Sequence, residues 1–177
     1  MKKTLIITVL VVSAAAVRAD ESAFQASLTP DIAIHPRTTE IHGLSLNIWG
    51  ENPQTGVALG FVNGSTGQSE GFSWAFLLNY SESYTGVQWG LVNYNTQNFV
   101  GWADAAVNFS QGTFTGLQSG FVNIGQSNKG VQFGFVNYTE NLDGVQIGLA
   151  NIAMNNDWFT QFPNQLAKGF PFVPWSF

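Results

Sequence analysis

The sequence predicts an all-β protein, a β-solenoid of about eight repeats of 13–15 residues each. Three observations carry this prediction. A glycine returns at a nearly constant spacing from Gly43 to Gly144, apolar residues follow it at alternate positions, and an asparagine closes most repeats. Period-2 alternation over about eight residues is typical of a strand with two unlike faces. Glycine and proline recur too often for a long amphipathic helix.

The repeat is clearest when positions are counted from its first glycine. Positions +1 and +5 are apolar in all eight units, and position +3 is apolar in six. Position +7 is asparagine in six units, Asn79 is displaced by one, and position +2 is glutamine in four. The spacings between units are 13, 15, 15, 15, 15, 14 and 14 residues, and units 1 to 8 begin at Gly43, Gly56, Gly71, Gly86, Gly101, Gly116, Gly130 and Gly144.

In a solenoid, each unit is one coil, and equivalent residues stack about 4.8 Å apart. We expect the +1, +3 and +5 side chains to form apolar ladders inside, with glycine and glutamine on an outer face. The asparagines should stack at one corner, where their amides can satisfy turn backbone. Two aromatic-rich sets should pack on the short return arm: Tyr80, Tyr94, Phe109, Ile124 and Tyr138, and Tyr84, Phe99, Phe114 and Leu142.

The alternative is an antiparallel meander closed as an outer-membrane β-barrel. Eleven residues from Tyr84 to Tyr94 are long enough to cross a bilayer when tilted, and the chain ends in an aromatic residue. However, Pro171 and Pro174 interrupt the last strand of such a barrel. Successive strands of a meander also run in opposite directions, whereas every unit here repeats alike with its asparagine trailing. The repeat therefore favours the solenoid.

The chain divides into four segments. Residues 1–19 have the basic, apolar and small-residue regions of a secretory signal peptide, with cleavage after Ala19. Residues 20–42 form a lead-in segment, and residues 43–157 form the eight-unit repeat domain. Residues 158–177 form a C-terminal aromatic cap or closing strand.

Composition limits the possible functions. The chain has no cysteine, which excludes disulfides, a lipoprotein anchor and cysteine nucleophiles. After the signal peptide only Arg37, Lys129 and Lys168 oppose eleven carboxylates, a net charge of −8, so nucleic acid is a poor partner. No catalytic or phosphate-binding motif is present, so we expect no enzyme activity, no catalytic residue and no cofactor.

Two polar groups are candidate sites. Asp104 and Ser119 occupy the +3 position that is apolar in the other six units, and a parallel stack makes them direct neighbours. Ser119 can then donate a hydrogen bond to Asp104, either as a structural polar pair or as part of a ligand site. The second group is His35 and His42 around Glu40, with Asp31 nearby, residue types that serve metal or acid–base sites. Their spacing matches no metal-ligand motif and the segment is typical of a polar loop, so no metal site is predicted.

The units "GVQWGLVNY", "GLQSGFVNI", "GVQFGFVNY" and "GVQIGLANI" resemble those of uncharacterised bacterial surface-repeat proteins with runs of G-[VL]-Q-x-G-[LF]-V-N. This resemblance covers roughly residues 24 to 177 and implies export to the outer membrane or cell surface. A weaker likeness is to curli subunits, through Q-x-G-x-x-N as in Gln88-Gly90-Asn93. We therefore expect an exported structural or interaction protein of the envelope, with the periplasm as a further location. A small outer-membrane barrel acting as anchor, antigen or narrow pore is the alternative. The sequence does not identify the partner of this protein, for which the outer membrane and another surface protein are the candidates.

Overall fold

The computed structural model describes residues 20–155, 169–172 and 175–176. All regular structure in these ranges is β-strand, and the long strands β4 and β5 each wind through several units. The predicted signal peptide and most of the C-terminal segment lie outside the described residues. The strands are β1 (Glu21–Thr29), β2 (Ile32–Ala33), β3 (Glu40–Asn52), β4 (Gln54–Asn95), β5 (Phe99–Ala153), β6 (Gly169–Phe172) and β7 (Trp175–Ser176).

The units stack in parallel and in register. Gly43 of β3 pairs with Gly56 of β4, and Gly86 of β4 pairs with Gly101 of β5. The result is a β-solenoid, which confirms the predicted fold class and excludes the barrel. The unit glycines lie in one column, because each of those from Gly56 onward lies against the backbone carbonyl of the glycine before it, and Gly43 lies against that of Ala23 in β1.

This column explains why each unit begins with glycine. Gly116 has a φ of +131°, and a Cβ on it would lie 2.0 Å from the carbonyl oxygen of Gly101. A residue with a side chain would meet both an unfavourable backbone conformation and a backbone clash. Glycine is therefore required where one coil turns into the next.

The prediction of which face lies inside is wrong. All eight +2 residues are buried, including Gln88, Gln118, Gln132 and Gln146 at 0% exposure, whereas most +1, +3 and +5 side chains point outwards. Alternation shows which residues share a face but not which face is enclosed. A coil of 14–15 residues encloses a narrow space, and amide side chains with small residues fill it in place of large apolar side chains. Most of these amides are hydrogen-bonded, but the Gln88 amide is buried without a hydrogen bond to any of the described residues.

Buried asparagines form a continuous ladder through the interior. Asn108 Nδ2 donates to Asn123 Oδ1 at 2.9 Å and to the carbonyl oxygen of Ser119 at 2.8 Å, so it bonds both to the next asparagine and to the next coil. The same two bonds recur along most of the stack, which satisfies buried amides that would otherwise be costly. The ladder contains Asn47, Asn63, Asn79, Asn93, Asn108, Asn123, Asn137 and Asn151.

The longest step of this ladder is bridged. Asn63 Nδ2 lies 3.5 Å from Asn79 Oδ1, and Ser73 lies between them. Ser73 Oγ accepts from Asn63 Nδ2 at 3.1 Å and donates to Asn79 Oδ1 at 2.7 Å. Asn79 thus joins the ladder despite its displaced position in the sequence.

Two further ladders fill the interior. Gln146 Nε2 donates to Gln132 Oε1 at 2.7 Å, and Gln132 Nε2 donates to Gln118 Oε1 at 2.8 Å. On the return arm, Tyr84, Phe99 and Phe114 stack with ring centroids 5.7 and 4.7 Å apart, and Leu142 is also buried. The burial expected for this second return-arm set is confirmed, whereas the first set is half-buried: Tyr80, Tyr94, Phe109, Ile124 and Tyr138.

Additional strands flank the eight units at both ends. β1 lies in the predicted lead-in segment and pairs in parallel with β3, so it adds a coil before unit 1. β2 turns back antiparallel to β1, and β6 and β7 pair antiparallel with β5 at the other end. Gln25 fixes the first turn. Its side-chain amide accepts from the backbone N–H of His35 and donates to the carbonyl oxygen of His35 and to Asn52 Oδ1. The described part of the chain contains no helix long and apolar enough to cross a membrane.

Candidate functional site: an exposed apolar face

The outward +1, +3 and +5 columns of units 1 to 8 form one continuous surface, which we call the apolar face. Its +1 column is Leu44, Val57, Phe72, Val87, Trp102, Leu117, Val131 and Val145. Its +3 column is Leu46, Leu59, Trp74, Trp89, Asp104, Ser119, Phe133 and Ile147. Its +5 column is Ile48, Phe61, Phe76, Leu91, Ala106, Phe121, Phe135 and Leu149.

The area of this face is unusual for an isolated soluble chain. Sixteen of its side chains are large, apolar and at least 36% exposed, and Phe121 reaches 61%. With ~200 Å² for each such side chain when fully exposed, the face presents roughly 1,500 Å² of apolar surface. The largest apolar patch of a typical monomer covers only about 300–600 Å². A patch of this size marks an interaction surface.

Aromatic rings are ordered along the face. Phe121 and Phe135 stack with ring centroids 5.2 Å apart, and Trp89 meets Trp102 edge to face at 5.2 Å. Because equivalent residues repeat on a parallel stack, the rings are held in fixed rows on a rigid sheet. Little side-chain ordering remains to be lost when a partner covers them.

A groove runs along the face between the +3 and +5 columns. Its floor is the +4 column, which points inwards and is glycine or alanine in seven of the eight units. A Cβ on Gly134 would lie 2.6 Å from Asn123 Nδ2, so the small floor residue also makes room for the asparagine ladder. The small +4 residue therefore leaves space for the groove on the outside and for the asparagine side chains on the inside.

The groove deepens at both ends. At the β1 end, Leu28, Ile32 and Ile34 rise beside the face and enclose a hollow of about 670 Å³. At the other end, Phe172 of β6 covers a hollow of about 520 Å³ over Phe135 and Leu149. Both hollows are lined mainly by apolar side chains, which suits an apolar partner better than a charged ligand.

Asp104 and Ser119 lie together near the middle of the apolar face. Ser119 Oγ donates to Asp104 Oδ1, and Trp102 Nε1 donates to Ser119 Oγ at 2.9 Å. The two candidate residues are therefore in contact, but Asp104 is exposed rather than enclosed in the core. A carboxylate in water needs no compensating partner, so the pair forms a polar notch in an otherwise apolar surface.

A second polar group lies at the β1 end, away from the face columns. Arg37 contacts Asp31 at 2.9 Å and Glu51 at 3.4 Å, and the Tyr80 hydroxyl donates to Glu51. Burial, with the hydrogen bond to Glu51 as the next cause, raises the pKa of Tyr80 to about 12. Burial alone raises the pKa of Tyr84 well above its usual value. The contacts of Arg37 and Tyr80 with Glu51 tie the loop after β2 to the solenoid.

The two histidines have different partners. His35 shares a 3.0 Å hydrogen bond with Ser22 Oγ, whereas His42 Nε2 lies 3.4 Å from Glu40 and 3.9 Å from Glu21. Within the described ranges, no group of three or more His, Asp and Glu side chains is arranged to hold a metal ion. His35 and His42 thus lie in separate contacts.

Sequence reasoning missed one member of the asparagine ladder. In unit 1 the +4 residue is Asn47 and the +7 residue is Gly50, the reverse of the usual order. A Cβ on Gly50 would lie 2.2 Å from Asn47 Oδ1, so the Asn47 side chain occupies the space that the +7 asparagine fills elsewhere. The exchange of glycine and asparagine between positions +4 and +7 of unit 1 was the sequence signal that Asn47 joins the ladder.

Comparison of the chain with protein-family models, with curated proteins and with solved structures finds no match.

Proposed function

We propose that this protein is an exported interaction protein of the bacterial envelope or surface, which acts by binding a partner through the apolar face. One observation carries the proposal: roughly 1,500 Å² of rigid apolar surface is exposed to water. A surface this large opposes solubility unless it is covered where the protein works. The interior is fully occupied by ladders, which leaves the outer surface as the part available for recognition.

Export is part of this proposal. Its support is the signal-peptide pattern of residues 1–19, together with the scarcity of charged residues in the rest of the chain. We place the protein at the outer membrane or cell surface, with the periplasm as the remaining location. Because the fold is a solenoid, the barrel functions of pore and membrane-spanning anchor are withdrawn. We propose no catalytic role.

Fractionation with mass spectrometry tests the export step. Cells producing the chain are separated into cytoplasm, periplasm, membranes and surface-released protein, and the intact mass is measured in each fraction. We expect a mature chain starting at Asp20, outside the cytoplasm. Unprocessed protein confined to the cytoplasm contradicts the proposal.

Radical footprinting tests the use of the face. Oxidation of Trp74, Trp89 and Phe135 is compared between the protein in its native envelope and purified protein at high dilution. Trp49 is the internal control, because it is 46% exposed but lies outside the face columns. We expect the face residues to be protected in the envelope relative to Trp49. Equal oxidation of all four residues in both samples argues that the face stays uncovered.

A further inference from the structure

We infer that the apolar face is the interface of a homodimer, in which two solenoids pack face to face with their long axes antiparallel. This inference deepens the proposed function, since it identifies the partner of the face as a second copy of the chain. Three features carry it: the area of the face, the position of its polar residues, and the order of residues along its columns.

The area is sufficient for a stable dimer. Interfaces of standard size bury about 800 Å² on each partner, and obligate homodimers bury more and are more apolar. The roughly 1,500 Å² available here exceeds that requirement. Two sheets also pack face to face at a separation of about 10 Å in β-sandwiches.

Charge favours a second copy over a lipid bilayer. A membrane-binding surface usually adds basic residues that attract anionic lipids, but the chain after the signal peptide has only three cationic residues and a net charge of −8. A bilayer would also place the Asp104 carboxylate among acyl chains, where it has no further hydrogen-bond donors. A protein partner can supply such donors.

A two-fold axis along the strand direction places each column opposite the equivalent column of the second copy, with the units in reverse order. Unit 1 then lies opposite unit 8 of the partner, and unit 4 lies opposite unit 5. The +5 column fits this operation, because similar residues lie at equal distances from its centre. Its facing pairs are Ile48 with Leu149, Phe61 with Phe135, Phe76 with Phe121, and Leu91 with Ala106.

The +3 column gives the polar notch its partners. In the same arrangement, Asp104 lies opposite Trp89 of the second copy and Ser119 lies opposite Trp74. An indole N–H is a hydrogen-bond donor that suits a carboxylate or hydroxyl oxygen. The other face-to-face two-fold, along the solenoid axis, would instead place Asp104 against Asp104, which like-charge repulsion disfavours. The antiparallel arrangement is therefore the one inferred.

Sedimentation equilibrium over a range of protein concentrations tests the dimer. We expect wild-type mature protein to have twice the monomer mass at micromolar concentration. Phe121→Glu and, separately, Phe76→Ser should weaken association at least 100-fold while circular dichroism shows an intact β-fold. Val100→Glu is the matched control, because Val100 is 47% exposed in a column whose seven other residues are all polar or charged, Thr85 and Thr115 among them. It should leave the dimer unchanged. A wild-type monomer at all concentrations, or a dimer unaffected by both face variants, overturns the inference.

Spin labels test the direction of packing. The chain has no cysteine, so Thr85→Cys and Lys129→Cys each carry one label per copy. In the antiparallel dimer, Thr85 lies one rung from its symmetry mate along the axis, about 5 Å, whereas Lys129 lies five rungs away, about 24 Å. We expect the measured label distance to be clearly longer for Lys129. Equal distances at the two positions contradict the antiparallel arrangement.

Vesicle flotation separates failure of the dimer from failure of the proposed function. A monomer that floats with phosphatidylethanolamine–phosphatidylglycerol vesicles, and loses this binding in Phe121→Glu, overturns the dimer but retains an envelope interaction protein. Cytoplasmic, unprocessed protein overturns the proposed function, whatever the sedimentation result. A dimer that neither floats nor dissociates on dilution to micromolar concentration supports the inference.

Discussion

Removing one asparagine from the interior ladder should destabilise the fold strongly. Asn123 Oδ1 accepts from Asn108 Nδ2 at 2.9 Å, and Asn123 Nδ2 donates to Asn137 Oδ1 at 2.8 Å and to the carbonyl oxygen of Phe133 at 3.1 Å. In Asn123→Ala, one N–H of Asn108 loses its acceptor and the Oδ1 of Asn137 loses its donor, and both groups stay buried. Each such group costs about 1–3 kcal/mol, so we expect a loss of about 4 kcal/mol in the free energy of unfolding. This is a large part of the ~5–15 kcal/mol that stabilises a typical domain.

Urea unfolding followed by circular dichroism measures this loss, with all variants at one protein concentration because association adds to apparent stability. Asn141→Ala is the matched control, since the Asn141 side chain is exposed and takes no part in the ladder. A loss below about 1 kcal/mol in Asn123→Ala, or one equal to the control, refutes the idea that the ladder holds the coils together.

Asn123→Asp tests the same bonds at constant size. Its carboxylate would face two acceptors, Asn137 Oδ1 and the Phe133 carbonyl oxygen, in place of making the two donated bonds. The folded state should therefore bind the proton more tightly than the unfolded state, and the pKa of this aspartate is raised. The variant should be most stable below the unfolded pKa of ~4 and lose stability as pH rises through the folded pKa. Stability that increases over this pH range contradicts the assignment.

Three further predictions concern the faces, the tyrosines and the repeat. In dilute monomer, Phe121→Ala should lower the free energy of unfolding by about 1 kcal/mol, because its side chain is already mostly exposed. Gln132→Ala should lower it by ~2–4 kcal/mol, because the glutamine ladder loses its bonds. The reverse order in urea unfolding would contradict the assignment of +2 to the inside and +5 to the outside. In ultraviolet absorbance titration, Tyr80→Phe should remove a transition near pH 12. Because the folded pKa of Tyr80 exceeds the unfolded value of ~10, its contribution to stability is complete below that pH and is lost as pH rises through 12; loss of a transition near pH 10 in place of one near pH 12 would contradict the burial of Tyr80 beside Glu51. Deletion of residues 101–115 should leave a chain that melts cooperatively with one coil fewer, and aggregation of this variant would contradict independent stacking of coils.

The parallel stack could be predicted from the sequence because every unit has its asparagine on the same side of its strand. A meander would have needed two alternating kinds of unit, so direction was encoded in the repeat itself. The positions of Tyr84, Phe99 and Phe114 followed from the same periodicity. Asp104 and Ser119 became neighbours for the same reason, since they occupy equal positions in successive units.

The inside of the solenoid could not be predicted from alternation alone. Apolar residues at +1, +3 and +5 resemble a core, and the preference of apolar side chains for burial favoured that interpretation. Two features pointed the other way: the small +4 residues, and the glutamines on the same side of the strand as those residues. Because the +4 side chains are so small, the space inside the coil is filled by the amides of the +7 asparagines. The presence of Asp104 in an apparent core column was a further sign that this column faces outwards.

The asparagine ladder has one direction along its whole length. From Asn47 to Asn151, each Nδ2 points towards the next Oδ1 in chain order, and the bridging hydroxyl of Ser73 points the same way. The amide dipoles therefore add, with the positive end towards unit 8 and the negative end at unit 1, where Asn47 Oδ1 accepts no bond within the described chain. Bonds arranged head to tail polarise one another, so reversing one amide requires reversing its neighbours as well. The solenoid is thus electrically polar along its axis in the way that an α-helix is, but its dipole is carried by side chains. Two such dipoles lying side by side attract each other when they point in opposite directions.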